Sequence, residues 1–374
     1  MAKKKILYLT ASMGGGHNAA VQATMEAVEA NYPGKFDHEI IDVVGLLGKN
    51  LEKAIAKAYE TSVNYANFTF RGFFELTDKT DILKNFDQRW YPLIKRNLKP
   101  IIEARPNLIV SCYPFLSYSV KKYLKEHHAD VPYLTLITDT GEVHSAWIQT
   151  ETDYFFAPTE ETAYFLRQKG IGSEKILTLG FPVKQLFYKR YNHVNLVQKL
   201  EIMPGNKVIL YFTGAYGSGG VKSKLKALDA GLEKVTIMVV TGRNEASYDW
   251  IAKQEFKNQV IPFHYVENVA RLMSIADLVI TKAGGMSIME TVTSKKPVIV
   301  TEVYPGQEEP NAQFIETMGF GYVAKTPKKL VEKTRFIFES DEMKRIKTNY
   351  KNYKLNDRAD KKIAKFIVEL LASS

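Results

Sequence analysis

Residues 280–290 read Ile280-Thr281-Lys282-Ala283-Gly284-Gly285-Met286-Ser287-Ile288-Met289-Glu290, and Pro305-Gly306-Gln307-Glu308-Glu309-Pro310-Asn311 follow shortly after. An apolar strand over 278–281 runs into a small-residue turn, and a helix opens directly on that turn. A second apolar strand over 297–301 ends in the polar loop, which opens another helix. Free amides at such strand-to-helix turns suit phosphate, and adjacent carboxylate and carboxamide groups suit hydroxyls. The chemistry implied is the binding of a phosphorylated, hydroxyl-rich ligand, and a nucleotide sugar fits it better than a dinucleotide. Upstream, Tyr211 to Gly220 repeats the pattern: a strand, a glycine loop, then a helix. Amides at Gly214 and Gly217 and the hydroxyl of Ser218 suit a diphosphate.

Near the N-terminus an apolar strand over 6–9 leads into Met13-Gly14-Gly15-Gly16-His17-Asn18. The loop is not a Walker A motif, since no Lys-Ser/Thr closes it, and it is not G-x-G-x-x-G. His17 falls at the start of the following helix, where the positive helix end favours a neutral imidazole that can accept a proton from a hydroxyl. The alternative is a histidine cap that only shapes the loop. Asp139 closes an expected strand over 133–138, with His144 and Trp147 in the loop beyond. Its carboxylate can orient His17, act as the base itself, or cap a turn.

The elements that must hold these groups recur in two sets. Strands are expected over 6–9, 39–44, 108–112, 133–138, 154–157 and 176–178, then over 208–213, 236–241, 260–263, 278–281, 298–301 and 321–324, with helical patterns between them. Two successive alternations mean two parallel-sheet α/β domains in series. Their expected bounds are residues 1–182 and 183–355, with a hinge at Leu179-Gly180-Phe181-Pro182-Val183. A final amphipathic helix places Ile363, Phe366, Ile367 and Leu370 on one face.

At 374 residues the chain is long enough for two domains, and its single cysteine, Cys112, excludes a disulfide framework and a multi-thiolate zinc site. Cys112 itself reads as a small buried apolar residue. No Asp-x-Asp element occurs to hold a diphosphate through a divalent metal, so neither a metal nor another cofactor is expected. No apolar run approaches the roughly 18 residues of a spanning helix, and the lysine-rich start precedes a short strand instead of a signal-peptide core. A cytoplasmic protein, soluble or peripheral on the inner membrane face, is expected.

The net charge of +10 is concentrated: residues 45–100 carry 10 Lys/Arg against 6 Asp/Glu, and residues 325–365 carry 14 against 6. In the first block cations interleave with aromatics, including Phe70, Arg71, Phe73, Phe74 and Trp90. That mixture suits contact with an anionic phospholipid membrane surface, the alternative being a packed helical insertion. Nucleic acid is not expected, because no RNP, helix-turn-helix or zinc-finger signature accompanies the charge.

Three anchors, Gly14-Gly15-Gly16-His17, Thr281-Lys282-Ala283-Gly284 and Pro305-Gly306-Gln307-Glu308, resemble in order and spacing those of the family 28 glycosyltransferases. The similar branch contains the diacylglycerol glycosyltransferases: plant-type monogalactosyldiacylglycerol synthases and processive diacylglycerol glucosyltransferases. The resemblance spans nearly the whole chain. It implies a GT-B fold, two Rossmann-like domains facing an interdomain cleft, with the last helix (356–374) packing back on the first domain. It implies transfer of a hexose from UDP-glucose or UDP-galactose to 1,2-diacylglycerol, with inversion to a β-glycoside. His17 is then a base or acceptor-orienting group beside Asp139, with Gly15 and Gly16 on the acceptor side.

The same resemblance assigns Gln307 and Glu308 to the hexose, with Gly306 and Asn311 assisting. Lys282, Gly284 and Gly285 serve the diphosphate and Glu290 the ribose, while Arg243, Tyr265 and Val266 lie by the uracil. Other readings are an N-acetylglucosaminyl transferase acting on an undecaprenyl-linked cell-wall precursor, a UDP-sugar 2-epimerase, and a UDP-sugar sensor without turnover. Two positions depart from the pattern: Asn18 stands where relatives often carry Arg, and Gly285-Met286 replaces Pro-Gly.

Overall fold

A computed structural model describes residues 3–11, 16–46, 82–114, 116–148, 151–213, 220–306, 308–355 and 357–373. The chain is α/β and of the GT-B class, with two six-stranded parallel sheets. The first sheet comprises β1 (Lys4–Thr10), β2 (Phe36–Asp42), β3 (Leu108–Ser111), β4 (Tyr133–Leu136), β5 (Tyr154–Ala157) and β6 (Ile176–Thr178), in the order β2-β1-β3-β4-β5-β6. The second comprises β7 (Lys207–Phe212), β8 (Val235–Val240), β9 (Gln259–Phe263), β10 (Leu278–Lys282), β11 (Val298–Glu302) and β12 (Gly321–Val323), in the order β12-β11-β10-β7-β8-β9.

Two compact units result. One contains Met1–Gln185, Pro305–Pro310 and Leu355–Ser374; the other contains Leu186–Tyr304 and Asn311–Lys354. Central strands are buried along their length, as in Val235–Val240 and Leu108–Ser111, because helices cover both faces of a parallel sheet. Continuous aliphatic runs are therefore the signal such strands leave in a sequence, and all twelve expected strands are present.

Strand boundaries shift by up to three residues from expectation, and two of the shifts have a local cause or bear on the site. The second strand runs over Phe36–Asp42, not 39–44, because Val43 and Val44 begin a helical turn, Val43–Leu46. Asp42 Oδ1 accepts from the Val44 backbone N–H at 2.9 Å, offering the chain a turn in place of another ladder step. The fourth strand ends at Leu136, which leaves Thr138 and Asp139 in the loop beyond it.

In the first unit the last helix, Ala359–Ser373, packs against the helix Gly16–Asn31. Ile363 and Ile367 are fully buried, whereas Phe366 is partly buried and meets Tyr154 and Phe156 edge-on. Lys4 Nζ donates to the Leu371 carbonyl at 2.5 Å. Asp360, also fully buried, accepts from Arg358 at 2.9 and 2.6 Å and from Gln185 Nε2 at 2.9 Å, so its burial is compensated by charge-assisted bonds. In the second unit Gly321 is a steric requirement: a Cβ there would lie 1.7 Å from the Val298 carbonyl oxygen. No helix among the described residues is long and apolar enough to cross a membrane.

Candidate active site

In an open parallel sheet, loops diverge where the strand order reverses, and a crevice forms at the carboxyl ends of the two strands there. In the first unit that point lies between β1 and β3. His17, in the first turn of the helix that follows β1, and Tyr113, just past β3, meet there edge-to-face with ring centroids 5.9 Å apart. The Trp147 ring lies 6.1 Å from the imidazole on another side. Thr138 Oγ1 stands 3.3 Å from His17 Nδ1, and the backbone of Cys112 also bonds the ring. Burial holds His17 down to a pKa of about 4, only partly offset by the Cys112 bond. The ring is therefore neutral at physiological pH and able to take a proton.

Asp139 accepts from Trp147 Nε1 at 3.2 Å. Burial raises its pKa to about 6; the Trp147 bond works against the rise and the nearby negative charge of Glu308 adds to it. Asp139 and Glu308 both belong to the first unit, where the Pro305–Pro310 loop is placed. Gly141, two residues beyond Asp139, has φ +68°, and a Cβ there would approach Pro310 Cβ to 3.1 Å. The turn thus needs glycine both for its left-handed backbone and for this close approach. His144 is spent locally, its Nδ1 accepting from the Ala146 N–H at 3.0 Å at the start of the short helix Ser145–Trp147.

In the second unit the order reverses between β10 and β7. Beyond β10, Gly284 precedes the helix Gly285–Thr293, whose first-turn amides have no intrahelical partners. Asn311 is fully buried, and its Nδ2 donates to the Ala283 carbonyl at 3.0 Å, fixing the turn from behind. Lys282 Nζ lies 5.1 Å above the Tyr304 ring. Beyond β7, the helix Val221–Gly231 carries Lys224, whose Nζ pairs with Glu302 Oε1 at 2.9 Å.

Glu290 is partly buried on the helix Gly285–Thr293. Arg243 is exposed, Val266 partly buried and Tyr265 69% exposed, beyond β8 and β9. Beside them His264 stacks on Tyr248 at 3.6 Å, and Asn244 Oδ1 caps a helix by accepting from the Ser247 N–H. Gly306 has φ +80°. Gly16 begins its helix.

Gly15, Phe70, Arg71, Phe73, Phe74, Gly214, Gly217, Ser218 and Gln307 lie outside the described residues, as does the side chain of Trp90. Four participants were not singled out in the sequence: Thr138, Tyr113, Lys224 and Glu302. Tyr113 and Thr138 share one available signal, since each lies two residues past the end of a buried strand flanking or neighbouring the reversal point. Lys224 had the signal of a lysine in the first turn after a glycine loop.

Residues 17–183 match the family model for monogalactosyldiacylglycerol (MGDG) synthase, and residues 218–365 match that for the glycosyltransferase family 28 C-terminal domain. Among curated proteins, the processive diacylglycerol beta-glucosyltransferase of Bacillus thuringiensis is 27% identical over 344 residues, 90% of this chain and 86% of that one. The protein of the same description from Bacillus cytotoxicus is 26% identical over the same coverage. Among solved structures, Acinetobacter baumannii MurG superposes with a TM-score of 0.61 at 12% identity, over all of both chains. The UDP-GlcNAc 2-epimerase of Neisseria meningitidis gives 0.60 at 14%, again over all of both chains. Phytolacca americana UGT2 gives 0.63 at 11%, over 99% of this chain and all of that one. At these identities the structural likeness establishes the fold alone. The two family models together cover most of the chain, and their order is that of the sequence anchors. The first part of the chain, residues 17–183, is thus of the monogalactosyldiacylglycerol synthase type, and residues 218–365 form a domain of the glycosyltransferase family 28 C-terminal type.

Proposed function

We propose that the protein transfers a hexose from a UDP-sugar, UDP-glucose or UDP-galactose, to 1,2-diacylglycerol with inversion at the anomeric carbon. The observation that carries the reading is a neutral, enclosed His17 that shares the Trp147 side chain with Asp139, in the part of the chain that matches the MGDG synthase model. The names of the curated relatives, processive diacylglycerol beta-glucosyltransferases, support the acceptor class and the β-configuration proposed here.

The acceptor hydroxyl oxygen forms the new bond to the anomeric carbon while the bond from that carbon to the β-phosphate oxygen breaks. The hydroxyl proton passes to His17 or Asp139, and UDP leaves with the bonding pair. Charge on the departing diphosphate falls to the amides at Gly284–Gly285, the adjoining helix end and Lys282, without a metal ion. Glu308 and Gln307 read the hexose and Glu290 the ribose.

Access to a lipid acceptor requires a membrane face, and the helix Ile82–Ile94 with its extension is suited to it. Leu93 is 68% exposed among the exposed cations Arg89, Lys95 and Arg96. Basic residues around an exposed apolar side chain match the headgroup zone of an anionic bilayer. The enzyme would then work as a peripheral protein on the cytoplasmic face.

Diacylglycerol vesicles incubated with the purified protein and either UDP-glucose or UDP-galactose, with chelator present, test the whole reading. A glycosylated diacylglycerol from one donor, identified by mass and chromatography, is the expected result. UDP-sugar binding without any lipid product would overturn the acceptor assignment.

A further inference from the structure

We propose that Lys224 and Glu302 are a positioning pair for the turn at Gly284–Gly285. Lys224 anchors the Glu302 side chain, and the Glu302 carbonyl holds the amide of Ala283, directly before the two glycines. The pair's effect on ligand binding rests on the reading of that turn as the diphosphate site, whereas the mechanical link stands on geometry alone.

β11 does not follow β10 in regular register to its end. Thr281 pairs with Val300 but Lys282 pairs with Glu302, so Thr301 is an extra residue on β11. A bulge of this kind bends its strand and re-aims a side chain. In a regular ladder Thr301 would stand opposite Lys282, and the bulge brings Glu302 there instead. On the other edge of β11, the pairing with β12 ends at Val300. Glu302 thus lacks the two-sided ladder that fixes Val298 to Val300, and its place depends more on what its side chain meets.

That partner is Lys224. Its Nζ stands 2.9 Å from Glu302 Oε1, and the lysine side chain is only 5% exposed. Lys224 belongs to the helix Val221–Gly231 that follows β7, and β10 lies between β7 and β11 in the sheet. The pair therefore joins elements from the two sides of the strand that carries the turn. The Glu302 charge also reaches Tyr211 on β7, where it adds to the burial that pushes the tyrosine hydroxyl up.

The Glu302 main chain passes the restraint on. Its carbonyl accepts from the Ala283 N–H at 2.8 Å, while the Ala283 carbonyl accepts from Asn311 Nδ2 at 3.0 Å. Both backbone polar groups of Ala283 are held, and Gly284 and Gly285 follow at once, opening the helix Gly285–Thr293. Glycines have wide backbone freedom, so the direction of their amides depends on what fixes the residue before them.

The double variant Lys224→Met, Glu302→Leu removes the pair without leaving either charge alone. Hydrogen exchange of the backbone amides should quicken over residues 283–287 in that variant and stay as in wild type over residues 278–281. UDP, followed by calorimetry, should bind about 10-fold more weakly, the effect of misplacing hydrogen bonds to a charged group. Uridine, which carries no phosphate, should bind the variant as it binds wild type in an NMR titration; a pair that only stabilised the unit would weaken both ligands alike. If the double variant does not fold, Glu302→Gln, which keeps the side-chain volume and removes the charge, gives the same comparison. Unchanged exchange at the turn overturns the proposal, and so does an unchanged UDP affinity or an equal weakening of UDP and uridine. If wild-type protein binds no UDP while exchange at the turn still depends on the pair, the donor-site reading fails and the mechanical link stands.

Discussion

The indole nitrogen of Trp147 donates to Asp139 Oδ2 at 3.2 Å, while the same ring stands 6.1 Å from the His17 imidazole. One buried side chain thus restrains both candidate proton acceptors, through its N–H for the carboxylate and its tilted ring for the imidazole. The two groups are pushed in opposite directions by the same burial, the acid up to about 6 and the base down to about 4. Each shift favours the uncharged form, as expected where water is excluded.

That separation makes a pH profile diagnostic. Values of kcat/KM report the ionisations of the free enzyme. His17 is already neutral above about pH 5, whereas Asp139 changes charge near pH 6. We expect an acid limb near pH 6, and we expect Trp147→Phe to move it upward, since that change removes the bond that lowers the Asp139 pKa. A limb near pH 4 that Trp147→Phe leaves in place would assign the reaction to His17 without an ionised Asp139.

The same shifts act on stability. Asp139 has a folded pKa above its unfolded one, so between about pH 3.8 and 6 the folded state holds more protons, and stability falls as pH rises through that window. His17 has a folded pKa below its unfolded one, so stability falls as pH drops from about 6.5 to 4. Asp139→Asn should therefore stabilise the protein at pH 7 by about 1–3 kcal/mol. His17→Gln should flatten the acid side of the curve. Urea unfolding at pH 4, 5.5 and 7 measures both, and an Asp139→Asn variant less stable at pH 7 than wild type contradicts the burial argument.

Much of this arrangement was legible because buried parallel strands are written as unbroken aliphatic runs, and functional groups gather at their carboxyl ends. The places of His17 and Asp139 beyond their strands follow from that rule, while the roles expected of them come also from the family resemblance. The end of β2 did not, since Val43 and Val44 are equally apolar in a strand or a helical turn, and the Asp42 side chain decided between them. The His17–Thr138 contact joins residues 121 apart in sequence, and no local pattern encodes it. The burial of Lys224 is likewise written in no local pattern. A lysine on a helix reads as exposed, yet its side chain is only 5% exposed because Glu302, on a different element, neutralises it.

That pair, a buried lysine on a partly buried glutamate, yields a second-unit prediction. Removing one partner takes away part of the other's compensation, whereas removing both removes the problem with it. Lys224→Met should cost about 3 kcal/mol, and the Lys224→Met, Glu302→Leu double variant should cost less than the sum of its single changes. A double-mutant cycle by thermal or urea unfolding reads the coupling. Additive costs would mean that the 2.9 Å pair carries no interaction of its own.

Asn311 offers the sharpest separation of support from ligand contact. The family resemblance places it beside the sugar, but in the structure it is fully buried and donates to the Ala283 carbonyl, one residue before Gly284. Asn311→Ala would strand that carbonyl in a site where Ala283 is itself fully buried, at a cost of about 1–3 kcal/mol. The turn it braces presents the amides of Gly284 and Gly285, so UDP alone, without any hexose, should bind more weakly. A residue that touched only the sugar would weaken UDP-sugar binding and spare both UDP affinity and melting temperature. Calorimetric titration with UDP and with the active UDP-sugar, beside a melting curve, distinguishes the two. Loss of stability together with loss of UDP affinity is the outcome expected of a brace behind the phosphate turn.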